Sequence, residues 1–298
     1  MKVAHAPEEL AAGPRAVAIG TFDGVHLGHR AVVEAAVESS LPVTAITFDP
    51  HPRSVLADES VPLLSSLERR LELLAELGVG ETLVLRFDRG LASLEADAFV
   101  RRYVRGIGAA VVAAGATFRF GRDRAGGLDL IAASGLDVRA VPVVERVSSS
   151  RIRQLVAAGE VEAAAQLLGR PVEVEGTVVS GDARGAGLGF PTANLDPPPG
   201  VIVPKLGIYA GAALDARAAV SVGTNPTYGV DELRIEAFLL DFEGDLYGRR
   251  LVVELWRRLR DEAAFASEQE LVDQIARDVA ETRAAVRPGP TRPGDSTG

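Results

Sequence analysis

Apolar runs of strand length recur through the first half of the chain, separated by stretches whose apolar residues repeat at helical spacing. The runs are 15–19, 43–48, 82–87, 109–114 and 138–143, rich in β-branched and small apolar residues. Between them, 30–39 sets Val32, Val33, Ala36 and Val37 on one helical face. Leu67, Leu71, Leu74 and Leu77 do the same behind Ser65-x-x-Glu68, a spacing that predicts a capping box, and 95–105 predicts a third helix. Strands alternating with helices predict a parallel sheet with right-handed crossovers, and such sheets bind ligands at the carboxyl ends of their strands. The stretch 155–168 predicts one or two short helices broken near Gly159 and ended by Gly169-Arg170-Pro171.

Beyond Gly169 the period drops to two. Strands are predicted over 172–180, from Gly207 onward, over 234–242 and over 251–256. They are separated by a loop at 222–229 and a turn at 245–248, with no helices between them. A small closed antiparallel barrel hides the edges of such strands. Ser267-x-x-Glu270 then predicts a capped helix with Leu271, Ile275 and Val279 on one face. The expected organisation is an α/β Rossmann-like domain over 1–169, a barrel domain over 170–287, and a Pro-, Gly- and Arg-rich tail over 288–298 expected to be disordered.

Composition narrows the function. At 298 residues the chain can hold two domains, and 47% apolar with 24% charged residues describes an ordinary soluble protein. A net charge of −9 argues against a nucleic-acid surface. With no cysteine there are no disulfides, thiolate nucleophiles or Cys-based zinc sites. The N-terminus lacks a signal-peptide pattern and no apolar run reaches membrane-span length. A cytoplasmic protein is expected.

Two stretches carry chemistry. The first is Gly20-Thr21-Phe22-Asp23-Gly24-Val25-His26-Leu27-Gly28-His29, where a predicted strand turns into a helix. Backbone N–H groups and the helix dipole favour an anion there, and residues three apart share a helical face, so His26 and His29 can meet one phosphate. Alone, the pair also fits two surface histidines or half a metal site. Asp49-Pro50-His51-Pro52, Thr117-Phe118-Arg119-Phe120-Gly121-Arg122 and Ser148-Ser149-Ser150-Arg151-Ile152-Arg153 follow later strands and fall at the same end of the sheet. Hydroxyls with Arg153 suit a triphosphate; a plain N-cap is the other account of the serines.

The second stretch is Gly185-Ala186-Gly187-Leu188-Gly189-Phe190-Pro191-Thr192-Ala193-Asn194. Its glycines make a loop able to close over phosphates. In an extended segment Thr192 and Asn194 share a face and offer two neutral oxygens to a magnesium ion; a simple turn fits the same residues. On the strand over 234–242, Glu236 lies on the face opposite Ile235, Ala237 and Leu239, near Phe238 and Leu240. A carboxylate among apolar neighbours is a candidate general base, and an exposed strand carboxylate is the alternative.

The first stretch resembles the His-x-Gly-His signature of the nucleotidyltransferase superfamily, in the form used by FAD synthetases. The second resembles the Gly-Phe-Pro-Thr-Ala-Asn signature of riboflavin kinases, and the downstream segments keep that family's order. The chain as a whole, from about Val17 to Val286, resembles the prokaryotic bifunctional riboflavin kinase/FAD synthetase family. The resemblance implies phosphorylation of riboflavin to FMN and adenylylation of FMN to FAD. It implies ATP contacts for adenylyl transfer at Gly20, Phe22, Asp23, His26, His29, Thr117, Ser149, Ser150 and Arg153. For the kinase it implies ATP and flavin contacts at Gly185, Gly187, Phe190, Pro191, Thr192, Asn194, Arg260 and Glu262, magnesium at Thr192 and Asn194, and Glu236 as the base. The family usually has Asn or Asp where this chain has Thr117, and Thr where it has Ser150. Rival readings are a riboflavin kinase without adenylyl transfer and a non-catalytic flavin- or nucleotide-binding regulator. The expected partners are riboflavin, FMN and ATP, with Mg2+, no nucleic acid or membrane, and at most weak self-association.

Overall fold

The computed structural model describes residues 1–57, 60–181, 190–227 and 230–289, with the side chains of 225–232 outside the description. Contacts divide the chain into two units, Met1–Ser149 and Ser150–Gly298.

Unit 1 is built on six parallel strands: β1 (Lys2–Ala4), β2 (Arg15–Ile19), β3 (Val43–Asp49), β4 (Glu81–Arg86), β5 (Ala109–Gly115) and β6 (Asp137–Val141), in the order β1-β4-β3-β2-β5-β6. Five coincide with the predicted runs to within two residues. β1 pairs with the outer edge of β4 and has no periodic signal, because a three-residue strand is too short to show one. Helix α1 (Leu27–Val37) and helix α3 (Leu67–Glu76) cover one face, where Val32, Val33, Ala36, Leu73 and Leu74 pack on Ala16, Ala18, Val43, Ala45 and Ala113. Short helix α2 (Pro52–Leu56) follows β3. The opposite face packs Val17, Ile19, Ile46, Leu83 and Val112 on Phe99, Val100, Val104, Ile107 and Ile131. Those side chains come from α6 (Leu128–Ala133) and from a helical run that starts as α5 (Ala96–Phe99), after one-turn α4 (Arg89–Ala92). The run widens to a π-helix over Val100–Val104 and tightens to a 3-10 turn over Arg105–Ile107, so the single regular helix expected over 95–105 is irregular. The cap of α3 also differs from expectation. Ser66, not Ser65, accepts the Arg69 N–H at 3.1 Å, and Ser65 instead accepts from the Gly24 N–H at 3.3 Å.

Two helices, α7 (Ser149–Ala158) and α8 (Val161–Leu168), are broken at Gly159 as expected; its φ of +80° suits glycine. Unit 2 then forms a closed barrel of β7 (Val172–Val179), β8 (Ala193–Asp196), β9 (Gly207–Ala213), β10 (Ala216–Thr227), β11 (Val230–Leu239) and β12 (Arg250–Arg260), in the order β10-β11-β8-β7-β12-β9, every pairing antiparallel. Val174, Val178, Leu195, Tyr209, Val220, Val222, Ile235, Ala237, Val253 and Leu255 are buried. The segment 222–229, expected as a loop, belongs mostly to β10, which pairs with β11 up to Thr227↔Val230. Its Gly, Asn and Pro content suggested a loop, but ladder bonds to β11 satisfy the backbone. Helix α9 (Glu268–Ala284) starts at Ser267, which accepts the Glu270 N–H at 3.2 Å as the capping pattern predicts. The expected disordered tail lies outside the described residues from 290 on.

Candidate functional site

In unit 1 the strand order reverses between β2 and β5: β3 and β4 lie to one side, β6 to the other. Loops leaving neighbouring strands in opposite directions open a crevice at that point. The 20–29 loop leaves β2 and the turn bearing Thr117 leaves β5, so both border the crevice. Thr117 is exposed.

The loop is held tightly. Gly24 has a φ of +76°, and a β-carbon there would meet Leu64 Cβ at 2.8 Å, so only glycine fits. Phe22 and Val25 also have positive φ, at +52° and +39°, and both are buried. Such backbone costs free energy and persists where surroundings impose it. Asp23 is fully buried; its Oδ1 accepts the Leu64 N–H at 2.8 Å, and its carbonyl accepts the Ser149 hydroxyl at 3.0 Å. Thr47 Oγ1 donates to the Thr21 carbonyl at 2.9 Å.

His26 caps α1, its Nδ1 accepting the His29 N–H at 3.3 Å. A neutral ring bonded this way carries its proton on Nε2, leaving that nitrogen to donate elsewhere. The two imidazoles stack, centroids 3.6 Å apart and planes 12° from parallel, and Phe22 meets His29 edge-on at 5.4 Å. Spacing on one helical turn thus brings the histidines together as a pair of parallel plates at the crevice. His51 does the equivalent at α2, accepting the Arg53 N–H at 3.2 Å. Ser150 and Arg153 lie on the first turn of α7, with Arg153 Nη1 at 3.5 Å from Ser150 Oγ.

In unit 2 the pleat sorts side chains to two faces. Ile235, Ala237 and Leu239 are buried while Glu236 and Phe238 are only half-buried, so Glu236 looks out of the barrel. Ladder register puts Asn194 of β8 directly opposite Glu236 on one side and Ser221 of β10 opposite on the other. Directly opposed side chains stand about 5 Å apart at their β-carbons. Asn194 lies flat over Gly181, where a β-carbon would collide with its amide. Glu262 lies likewise over Gly223, two residues along β10 from Ser221 and on the same face. The Phe190 ring meets Phe238 edge-on at 5.4 Å, giving the group an apolar wall. Thr192 sits just ahead of β8, and Pro191 precedes it. Gly185 and Gly187 lie outside the described residues.

Arg260 does not join this group. Its place on the ladder is opposite Ile208, which is opposite Ser221, so it is three strands round the barrel from Glu236. There its Nε and Nη2 make a forked pair with the buried Asp278 of α9, at 3.0 and 2.7 Å. Its Nη1 donates to the Asp261 carbonyl at 3.0 Å. Arg260 thus pins α9 and the segment that delivers Glu262.

The comparisons follow the same division. The riboflavin kinase family model matches residues 168–286 and the FAD synthetase family model residues 9–153. A bifunctional riboflavin kinase/FMN adenylyltransferase of Listeria monocytogenes is 35% identical over 91% of this chain and 92% of its own length. The enzyme of that name from Pseudomonas fluorescens is 38% identical over 92% of this chain and 94% of its own. The chain belongs to the bifunctional riboflavin kinase/FMN adenylyltransferase family. A solved structure described as a macrolide-efflux protein from Streptococcus pneumoniae is 32% identical, with a TM-score of 0.85 over 95% of this chain and 99% of its own. Among the described residues of this family member, no helix is long and apolar enough to cross a membrane.

Two charged residues near these sites escaped the sequence reading. Arg70 of α3 is 1% exposed and donates to the Phe48 carbonyl at 3.0 Å. Asp278 of α9 is 4% exposed and holds Arg260. Both fall on the apolar stripe of their helix, Arg70 three residues after Leu67 and Asp278 three after Ile275. A charge on a buried stripe was the available signal.

Proposed function

We propose that the protein makes FAD from riboflavin in two ATP-dependent steps. The barrel module phosphorylates riboflavin to FMN, and the parallel-sheet module joins FMN to AMP with release of pyrophosphate. The modules are taken as 1–169 and 170–287, in the cytoplasm. The observation that carries this reading is that one chain holds both constellations: stacked histidines at a sheet's switch point, and a cross-strand Glu–Asn pair on a barrel's outer face.

In the kinase step Glu236 takes the proton of the ribityl 5′-hydroxyl as its oxygen attacks the γ-phosphorus of ATP, and ADP leaves. Phe190 and Phe238 exclude water on one side of that carboxylate. Gly185, Gly187 and Pro191 are taken as ATP contacts, and Glu262, braced by Arg260, contacts the flavin. Thr192 and Asn194 suit Mg2+ because their oxygens are the hard, neutral donors that a phosphate-bound cation shares with water, and the bare α-carbon of Gly181 makes room for the Asn194 amide. No group of three or more His, Asp or Glu among the described residues is arranged to hold a metal, so ATP itself would supply much of the coordination. When bound, Mg2+ would screen the phosphate charge. Gly181→Ala is expected to push the Asn194 amide aside. It should raise the Mg2+ concentration for half-maximal FMN formation about tenfold, in the range of other ligand-orienting contacts. A magnesium titration checks this, with FMN adenylylation as the unchanged control.

In the adenylyl step an FMN phosphate oxygen attacks the α-phosphorus of ATP and pyrophosphate leaves. No covalent intermediate is required, so catalysis is positioning and stabilisation of charge on phosphate oxygens. His26 and His29 donate to those oxygens, and Arg153 and Ser150 hold the departing phosphates. Gly20 and Phe22 shape the loop, Asp23 and Ser149 brace it, and Thr117 faces the nucleotide.

The test is to incubate the purified protein with riboflavin, ATP and Mg2+ and to separate the flavins by chromatography. FMN followed by FAD is expected. FMN alone would leave only the kinase, and Thr117→Asn would then be tested for recovery. No phosphorylated flavin would overturn the reading in favour of a binding protein.

A further inference from the structure

We propose that Arg70 is a positioning residue for adenylyl transfer, setting the 20–29 loop through the Thr47 and Phe48 end of β3. The inference rests on the adenylyl-transfer reading above.

Arg70 is the largest fully buried side chain in the described protein. Burying a guanidinium is costly unless charge and hydrogen bonds compensate it, so its retention on the packed face of α3 calls for a reason. Its partners supply one. Nη1 donates to the Phe48 carbonyl at 3.0 Å and lies 3.5 Å from Thr47 Oγ1, which itself donates to the Thr21 carbonyl. Burial pulls the guanidinium below its ordinary value, and the carboxylates of Asp23 and Asp49 push it back up. Two routes thus run from Arg70 to the histidine loop. One passes through Thr47 to Thr21. The other is a charge attraction to Asp23, whose carboxylate takes the Leu64 N–H and whose carbonyl takes the Ser149 hydroxyl.

The routes matter because the loop is strained. Phe22 and Val25 are held at positive φ on either side of Asp23. Such a loop relaxes when what imposes it is removed. Asp23 is fully buried, and without Arg70 its carboxylate loses a compensating charge. The stacked imidazoles would then shift relative to the phosphates, and a misplacement of about 1 Å commonly costs about 10²-fold in rate.

Both reactions occur on one chain, so the kinase provides an internal control for folding. Arg70→Met, Thr47→Val and the double variant are made in the full-length protein, and FMN formation and FMN adenylylation are measured separately. Arg70→Met is expected to lower kcat for adenylylation about thirty-fold, with the KM for ATP within about threefold and FMN formation within twofold. Arg70→Lys, which keeps the charge and a donor at the end of a long side chain, is expected to recover most of the loss. If Arg70 acts through Thr47, adding Thr47→Val to Arg70→Met costs little more than either change alone. A role confined to holding α3 on the sheet predicts instead additive losses and no recovery by lysine. Adenylylation within threefold of wild type in Arg70→Met, or additive losses in the cycle, overturns the proposal. Should Arg70→Met not fold, Arg70→Gln carries the same cycle, and additivity there is equally fatal. Absence of FAD with the wild-type protein would instead strike the adenylyl-transfer reading itself.

Discussion

Glu236→Gln is expected to lower the rate of FMN formation by about 10³-fold, the middle of the range for losing a positioned general base. The substitution is nearly isosteric. It leaves the β11 ladder intact, keeps a hydrogen-bonding group opposite Asn194 and preserves the contact of Phe190 with Phe238. What it removes is the ability to take a proton. Binding of riboflavin and ATP should therefore survive, with the loss confined to kcat. FMN supplied from outside should still be converted to FAD, because the histidine loop is in the other module. A loss smaller than tenfold would show that the 5′-hydroxyl does not hand its proton to Glu236. The half-buried position of Glu236 matters here: it is open enough on the outer face to meet a substrate and walled by aromatic rings on one side.

How much of this was legible in the sequence follows from how each residue acts. Strands 15–19 and 109–114 and the helix carrying Val32, Val33 and Ala36 were readable because burial on one face leaves a period, and packing enforced it. The placement of Glu236 opposite the apolar face of its strand was readable for the same reason. Cross-strand partners were not. That Asn194 faces Glu236, 42 positions further along the chain, depends on register between β8 and β11, and no local pattern encodes it. Nor was it visible that Glu262 folds back onto Gly223, or that Arg260 turns away to Asp278. Both are contacts between residues well apart in the sequence. Arg70 and Asp278 are the instructive cases. Each interrupts an apolar stripe, and each is buried with its partners. Where a periodic apolar face carries a charge, the fold has kept it against a desolvation cost, and its partners are the place to look for function.

The other large effect is expected at His26. His26→Ala should lower the conversion of FMN to FAD by about 10³-fold, as loss of a fixed donor to a reacting oxyanion does, and leave FMN formation unchanged. The histidine has a second job that must be separated from the first. Its Nδ1 caps α1 by accepting the His29 N–H at 3.3 Å, and its ring is the plate on which His29 stacks at 3.6 Å. Loss of a cap typically costs about 1 kcal/mol of stability. His26→Asn distinguishes the two roles. Asparagine is among the best N-caps and offers an acceptor to the same N–H, but places no donor where Nε2 stands and gives His29 no ring to lie against. The melting temperature of His26→Asn should therefore return close to wild type while adenylylation stays as low as in His26→Ala. Recovery of both together would mean that His26 serves the helix alone, and the contact with the phosphates would then fall to His29.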